Sequence, residues 1–329
     1  LWTYTWPDYG APPDRASFAA LAITMQRYLA GAYYPVGGGA SIARAMAAQL
    51  AAKGGALVVR AEVDEILVAG GRTTGVRLAD GAEVRAPLVI SDAGALATFE
   101  RLVREPTELR ERVRAIGPSR THVGLYLALG APPRELGLDG ANLWVHEREV
   151  GGGWSDEAAA WVRGEREDPP ALYASCGCAV DPSFAARHPR ATVLSAATAV
   201  PFAPFERWAG TTRGRRGADY EAHKEALGRG MLRLLARYVP IDAIEHVEVS
   251  TPLSSAHFSG HARGEAYGLD PTPLRFRIGP RPHTPIEGLF LTGQDVWMGG
   301  ICGSASGGLL TACAITQRDL ARELTFRRA

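Results

Sequence analysis

Charge of one sign is what this 329-residue sequence lacks: 36 Lys and Arg stand against 35 Asp and Glu, a formal net charge of +1. A nucleic-acid partner needs a basic surplus to displace counterions, so none is expected. The one basic cluster, Arg213, Arg215 and Arg216, reads as a solvated loop. Cysteine is scarce as well. Cys176, Cys178, Cys302 and Cys313 have neither the density nor the spacing of a disulfide scaffold, and free thiols suit a reducing compartment. Cys176-Gly-Cys178 with His188 offers three zinc ligands but no fourth at a sensible spacing, so no metal is expected. No internal repeat is visible, which argues against a solenoid. The sequence starts at Leu1 with no basic and apolar leader, so no signal peptide is expected and the start reads as trimmed.

Apolar residues are 46% of the chain and charged residues 22%, enough for a sizeable core in two domains or one domain with a large insertion. Residues 296–317 carry no charge over a length that could span a bilayer, with Gly299, Gly303 and Gly307 at the small-residue spacing of packed membrane helices. Gly, Ser, Thr and Gln dilute that stretch, and a strand-to-helix turn explains its glycines better.

Periodicity predicts helices over 14–29, 41–53, 95–116 and 220–238. Strands are predicted over 56–60, 63–68, 74–79, 83–85, 88–91, 121–129, 142–146, 172–176, 192–198 and 244–250, with Asp80-Gly81 as a hairpin turn. Residues 151–169, rich in glycine and charge, read as an exposed excursion, and a Pro- and Gly-rich passage leads from 250 to the terminal strand.

No complete dinucleotide fingerprint exists. Gly37-x-Gly39 opens a helix, with Glu62 about 23 residues on, but Ile42 holds the third glycine position and no buried strand precedes it. A tight turn capping the helix at Ser41 fits this loop better. Gly151-x-Gly153 and Gly228-x-Gly230 fail similarly. The terminal segment is more specific: Leu289-Phe-Leu-Thr-Gly293 is an apolar strand whose glycine lets backbone approach a ligand. Asp295 is placed to accept hydrogen bonds from ribityl or ribose hydroxyls. Gly299, Gly300 and a helix starting near Gly303 aim amides and a positive dipole end at negative charge, the oxygen edge of a reduced flavin for instance. The competing expectation is a helix that packs tightly through its glycines.

Tyr34-Pro-Val-Gly-Gly38, Val63-Asp-Glu-Ile66, Val89-Ile-Ser-Asp-Ala93, Thr251-Pro-Leu253, Gly264-Glu-Ala-Tyr-Gly-Leu269 and Gly293-Gln-Asp295 through Gly308 together resemble the FAD-dependent phytoene desaturase superfamily. Its carotenoid isomerase and retinol saturase branch is the nearest. The resemblance implies a mixed α/β (α+β) chain: a glutathione-reductase-like FAD-binding domain, incomplete at its N-terminus, with an inserted sheet-plus-helix substrate domain. Residues 1–30 would be a helical part of the substrate domain, 31–95 part of the FAD-binding domain, 96–255 the substrate domain, and 256–329 the flavin-facing segment with the C-terminal part of the FAD-binding domain.

The cofactor implied is FAD, and the substrate a lipophilic polyene or isoprenoid desaturated, saturated or isomerised by hydride exchange at flavin N5. Such substrates dissolve in bilayers, so the location implied is cytoplasmic or peripheral to a membrane. By position, Val63 would touch the adenine through its backbone, Asp295 would meet the ribityl-pyrophosphate region, and Gly300 and Ile301 would lie beside the isoalloxazine, with Gly293, Gly299 and Gly303 completing the cofactor set. The family's initial strand, glycine fingerprint and helix are missing here, which puts FAD affinity in question. His257, His261 and Tyr267 fall in the segment resembling the flavin-facing wall and are the candidates to move a proton; a structural hydrogen-bonding role is the alternative for each. Tyr33, Tyr34, Trp144, Trp154, Trp161 and Phe258 are candidates for an apolar tunnel or for core. A flavin amine oxidase-like enzyme and a catalytically silent lipid-binding fragment are the alternative functions.

Overall fold

The computed structural model describes residues 4–29, 31–147 and 153–324. In chain order the elements are α1 (Trp6–Tyr9), α2 (Phe18–Leu29), α3 (Ala40–Ala52), β1 (Val63–Ala69), β2 (Arg72–Leu78), β3 (Glu83–Arg85), β4 (Val89–Ser91), α4 (Ala95–Ala97), α5 (Glu108–Ile116), β5 (Thr121–Leu129), β6 (Leu143–His146), α6 (Trp154–Arg163), β7 (Ala171–Ser175), α7 (Pro182–Arg187), β8 (Thr192–Val200), α8 (Ala218–Leu235), β9 (Ile244–Ser250), α9 (Pro252–Ser259), α10 (Pro273–Ile278), β10 (Leu289–Leu291), α11 (Gly300–Thr316) and α12 (Leu320–Glu323). The mixed α/β class expected from the sequence is what is found.

The chain divides into two compact units. One takes the chain up to Thr5, Ile23–Val59 and Thr121–His257; the other takes Trp6–Ala22, Arg60–Arg120 and the chain from Phe258 on. These boundaries differ from a division at 30, 95 and 255. Residues 31–59 join the first unit through specific contacts: the Gly37 amide donates to both carboxylate oxygens of Asp181 at 3.1 and 3.2 Å, and the Tyr34 ring lies on Gly177.

The first unit is built on an antiparallel sheet of order β6-β7-β8-β5-β9. Alternation along β5 sends Val123, Leu125, Leu127 and Leu129 to one face, where they are buried with Trp161, Phe205, Met231 and Leu234. Helix α6 supplies Trp154, Ala158, Trp161 and Val162 to the interior, so the exposed excursion expected from residue 153 onward is corrected to a packed helix; residues 151 and 152 lie outside the described residues. Its apolar residues follow a 3.6-residue period that the flanking glycines and charges mask.

In the second unit β1, β2 and β3 form an antiparallel meander, and β4 pairs in parallel with β10, Val89 opposite Leu289 and Ser91 opposite Leu291. Its core gathers Ile66, Phe99, Leu102, Val113, Leu269, Leu289 and Leu291. The single helix expected over 95–116 is interrupted: a π turn, Thr98–Leu102, ends in extended Val103, Pro106 forbids continuation, and Thr107 restarts the helix by capping the Arg110 amide at 3.2 Å. The strand expected over 56–60 does not form, and Leu57, Val58 and Val59 are exposed; an apolar run becomes a strand only with a neighbour to complete its hydrogen bonds. Ser41 is not the cap of α3. Gly39 occupies that place, and the Ser41 hydroxyl donates back to the Gly38 carbonyl at 2.7 Å. Among the described residues no helix is long and apolar enough to cross a membrane.

Candidate functional site

The parallel pair β4 and β10 ends in two turns, Asp92-Ala93-Gly94 and Thr292-Gly293-Gln294-Asp295. The carboxyl ends of parallel strands are where α/β folds place ligands. Asp295 organises this end. Its buried carboxylate accepts the Ala95 amide through Oδ2 at 2.6 Å and the Leu269 amide through Oδ1 at 2.7 Å, tying three distant pieces of chain together.

The approach is possible only because Gly268, at φ +63°, has no side chain: a Cβ there would overlap the Asp295 carboxylate. Gly293, at φ +77°, bears the same relation to the Asp92 carboxylate. Asp92 itself is exposed, yet desolvation of its carboxyl, reinforced by the nearby Asp295 charge and partly offset by His261, holds its pKa above the ordinary aspartate value.

Arg275 locks the arrangement. Its buried guanidinium donates to the carbonyls of Gln294 at 2.6 Å, Tyr267 at 3.3 Å and Leu269. The Tyr267 amide donates to Ser119 Oγ at 3.0 Å, and the ring occupies a slot between two glycines: a Cβ on Gly10 would lie 2.7 Å from Cδ2, and one on Gly299 would overlap Cδ1. His261 is half-buried, with Nδ1 3.0 Å from the Glu265 carbonyl and Nε2 facing Gly94.

Helix α11 closes onto the same turn through its small residues. A Cβ on Gly307 would overlap the Gly293 carbonyl, one on Gly303 would overlap the Met298 carbonyl, and Thr311 Oγ1 donates to the Leu291 carbonyl at 2.8 Å. Tight packing through glycines, one of the two expectations for this segment, holds at some positions and not at others. Gly303 and Gly307 are buried packing residues, whereas no side chain caps the helix at Gly299, and Gly300, Ile301 and Cys302 are exposed, Ile301 at 65% and the preceding Trp297 at 45%. The first turn of α11 thus offers orphan amides and a positive dipole end on an open surface.

Of the sequence-predicted residues, His261, Tyr267, Gly293, Asp295, Gly299, Gly300, Ile301 and Gly303 all belong to this unit, as does Val63, half-buried at the start of β1 opposite Leu78. His257, exposed at the end of α9, groups with the five-stranded unit instead. Asp92, Arg275, Ser119 and Gly10 were not singled out by sequence. Only Asp92, inside the quoted Val89–Ala93 motif, had a visible signal. Among the described residues no group of three or more His, Cys, Asp or Glu side chains is placed to hold a metal ion.

In the five-stranded unit the sheet face opposite the core is lined by small residues between aromatic ones. Cross-strand pairing sets Gly124 beside Ala197 and Ser250, Tyr126 beside Ser195 and Glu248, Ala128 beside His246, and Tyr173 beside both Ala197 and Trp144, the rings of Tyr173 and Trp144 4.6 Å apart. Tyr126 remains 40% exposed. The other tunnel candidates divide: Trp154 and Trp161 are core, Tyr33 and Phe258 are exposed, and Tyr34 packs on Gly177.

The fold is shared with putrescine oxidase, whose structure bound to putrescine aligns with a TM-score of 0.55 at 16% identity over 86% of this chain and 54% of that one. No protein-family profile matches the chain. Homologues by sequence are more telling: the all-trans-retinol 13,14-reductase of Danio rerio is 31% identical over 338 residues, 97% of this chain and 55% of that protein. The neurosporene-forming phytoene desaturase of Rhodobacter capsulatus is 26% identical over 303 residues (88% and 54%), and the chloroplastic prolycopene isomerase of Arabidopsis thaliana 28% over 309 residues (89% and 47%). The chain is therefore a homologue of the phytoene desaturase, carotenoid isomerase and retinol saturase proteins, and it spans about half the length of the curated relatives it matches.

Proposed function

We propose that this chain is a FAD-dependent oxidoreductase acting on carbon–carbon double bonds of a hydrophobic polyene or isoprenoid. The observation that carries the reading is the uncapped, exposed first turn of α11 beside the carboxyl ends of β4 and β10. The residues fit the cofactor: small residues keep the approach open, and a negatively polarised ring edge suits main-chain N–H donors. Bound FAD would supply two-electron hydride exchange with the substrate carbon.

The chain's own residues would hold and orient it. Gly299, Gly300 and Ile301 would present the amides, Val63 would offer its backbone to the adenine, and accessible Asp92 would accept from the sugar-alcohol hydroxyls. Asp295, its oxygens already engaged by Ala95 and Leu269, holds the two turns in place rather than meeting the ligand directly. The Glu265 carbonyl requires the proton of a neutral His261 on Nδ1, which leaves Nε2 to take or return one. Tyr267, fixed between Gly10 and Gly299, is the second candidate for that role.

The relatives' names speak of retinol, phytoene and prolycopene. The Gly-, Ala- and Ser-lined part of that sheet face beside Trp144 and Tyr173 suits a slender apolar chain, whereas Glu248, opposite Tyr126, is the feature that would favour the amine oxidase alternative. A substrate dissolved in lipid favours a protein that works at, without crossing, a membrane surface.

The test is reconstitution. The purified chain, mixed with FAD and desalted, is expected to retain the visible absorbance of bound flavin, and Ile301→Asp, which sets a carboxylate at the helix end, is expected to lose it. Folded protein that takes up no flavin would sink the cofactor assignment. Flavin uptake with no turnover of all-trans-retinol or phytoene under either redox regime would sink only the substrate class.

A further inference from the structure

Cys176 and Cys178 flank Gly177 where β7 passes into a tight turn, Gly177–Val180, and their sulfurs come to 3.5 Å. Gly177 is where the Tyr34 ring packs, with a Cβ there only 2.5 Å from Cε2, so the two cysteines are separated by a residue that can carry no side chain. Cys176 is buried, while Cys178 lines an open groove of about 450 Å³ walled by Pro132, Leu138, Ala179 and Phe184. The site belongs to the five-stranded unit and is unused by the proposed oxidoreductase chemistry.

The surroundings favour a thiolate on the groove side. The Val193 amide donates to Cys178 Sγ at 3.3 Å and the Cys176 thiol is a second donor, while a protonated Cys178 would itself donate to the Val193 carbonyl at 3.4 Å. The hydrogen bond from Cys176 is the main cause that brings the Cys178 pKa down to about 6, against desolvation and the Asp181 charge, while the same bond pushes Cys176 up. Asp181 is occupied by the amides of Gly37 and Ser183, and Arg134, Asp139 and His188 are the other ionisable groups of the groove.

We propose that Cys176 and Cys178 form a dithiol site that reduces an organic hydroperoxide, the apolar groove receiving its hydrocarbon part. The Cys178 thiolate attacks the terminal peroxide oxygen; an S–O bond forms, the O–O bond breaks, and the departing alkoxide takes a proton to leave as alcohol. Cys176 then attacks the Cys178 sulfur, forming the S–S bond and expelling water. Two thiols are oxidised by two electrons and the hydroperoxide is reduced to alcohol and water; a small dithiol restores the pair.

The reduced full chain is treated with one equivalent of cumene hydroperoxide or, in a second arm, hydrogen peroxide, capped with N-ethylmaleimide and mapped by mass spectrometry. The expected product is a disulfide within the Cys176–Cys178 peptide, formed faster with the organic peroxide, with Cys302 and Cys313 still capped. In Cys176→Ser a sulfenic acid should be trapped by dimedone on Cys178, and in Cys178→Ser the remaining Cys176 should stay unmodified. Iodoacetamide at about pH 6 should alkylate Cys178 several-fold faster in the native chain than in Cys176→Ser, which loses the thiol donor beside it. Equal rates in the two peroxide arms would overturn the organic substrate. Consumption of Cys302 or Cys313 first, or over-oxidation of Cys178 with Cys176 still free, would overturn the dithiol.

Discussion

Asp295 shows how much one buried carboxylate can hold. Its two oxygens satisfy the amides of Ala95 and Leu269, donors from segments 174 residues apart in sequence. Asp295→Ala orphans both donors in the interior and is expected to destabilise the protein by about 2–5 kcal/mol in chemical denaturation. Asp295→Asn keeps one acceptor and should cost visibly less; equal losses would mean that the carboxylate merely fills space. Asp92 behaves oppositely. Its folded pKa lies above the unfolded value, so its contribution to stability is fully present below the ordinary aspartate pKa and is lost as pH rises through the folded one. Asp92→Asn in the cofactor-free protein should therefore raise the melting temperature at pH 7. Asp92 is exposed, so the gain stays under about 1 kcal/mol, and it should vanish below about pH 4. A gain that grows on acidification would refute the assignment.

At the scale of elements, α11 carries adjacent glycines with opposite duties. A Cβ at Gly307 would overlap the Gly293 carbonyl, whereas at Gly308 the nearest neighbour is Thr292 Oγ1 at 4.0 Å. Gly307→Ala should cost about 1–3 kcal/mol, since the helix must lift from the turn. Gly308→Ala should gain up to about 1 kcal/mol from helix propensity; thermal melts of the pair decide it.

Much of this was legible in the sequence. The run Leu289–Leu291 into Gly293 and Asp295 marked a strand, a glycine turn and a helix start, because apolar burial, positive φ and helix initiation each leave a local signature. What the sequence concealed was non-local. Nothing near Asp295 says that its partners are Ala95 and Leu269, and nothing near Arg275 says that its guanidinium crosses to the Gln294 carbonyl. Helix α6 was hidden differently: its own Asp156, Glu157 and Arg163 and the charges that follow it, Glu165 and Arg166, dominate the composition, and only the spacing of Trp154, Ala158 and Trp161 reveals the buried stripe.

At the scale of the molecule, each unit has its own core. Trp161, 2% exposed, belongs to the core of the five-stranded unit, and Trp161→Ala should cost that unit about 3–5 kcal/mol. Hydrogen exchange should then show protection falling in β5, β7 and β8 before it falls in β4 and β10; simultaneous loss would mean that the two cores melt as one. The polypeptide passes from one unit to the other after residues 5, 22, 59, 120 and 257. No single nick can therefore release either body intact from its fellow. A gene bisected for reporter complementation, or a circularly permuted library, would have to tolerate this interlacing, and during synthesis the ribosome must deliver residues beyond 257 before the parallel strand pair can form.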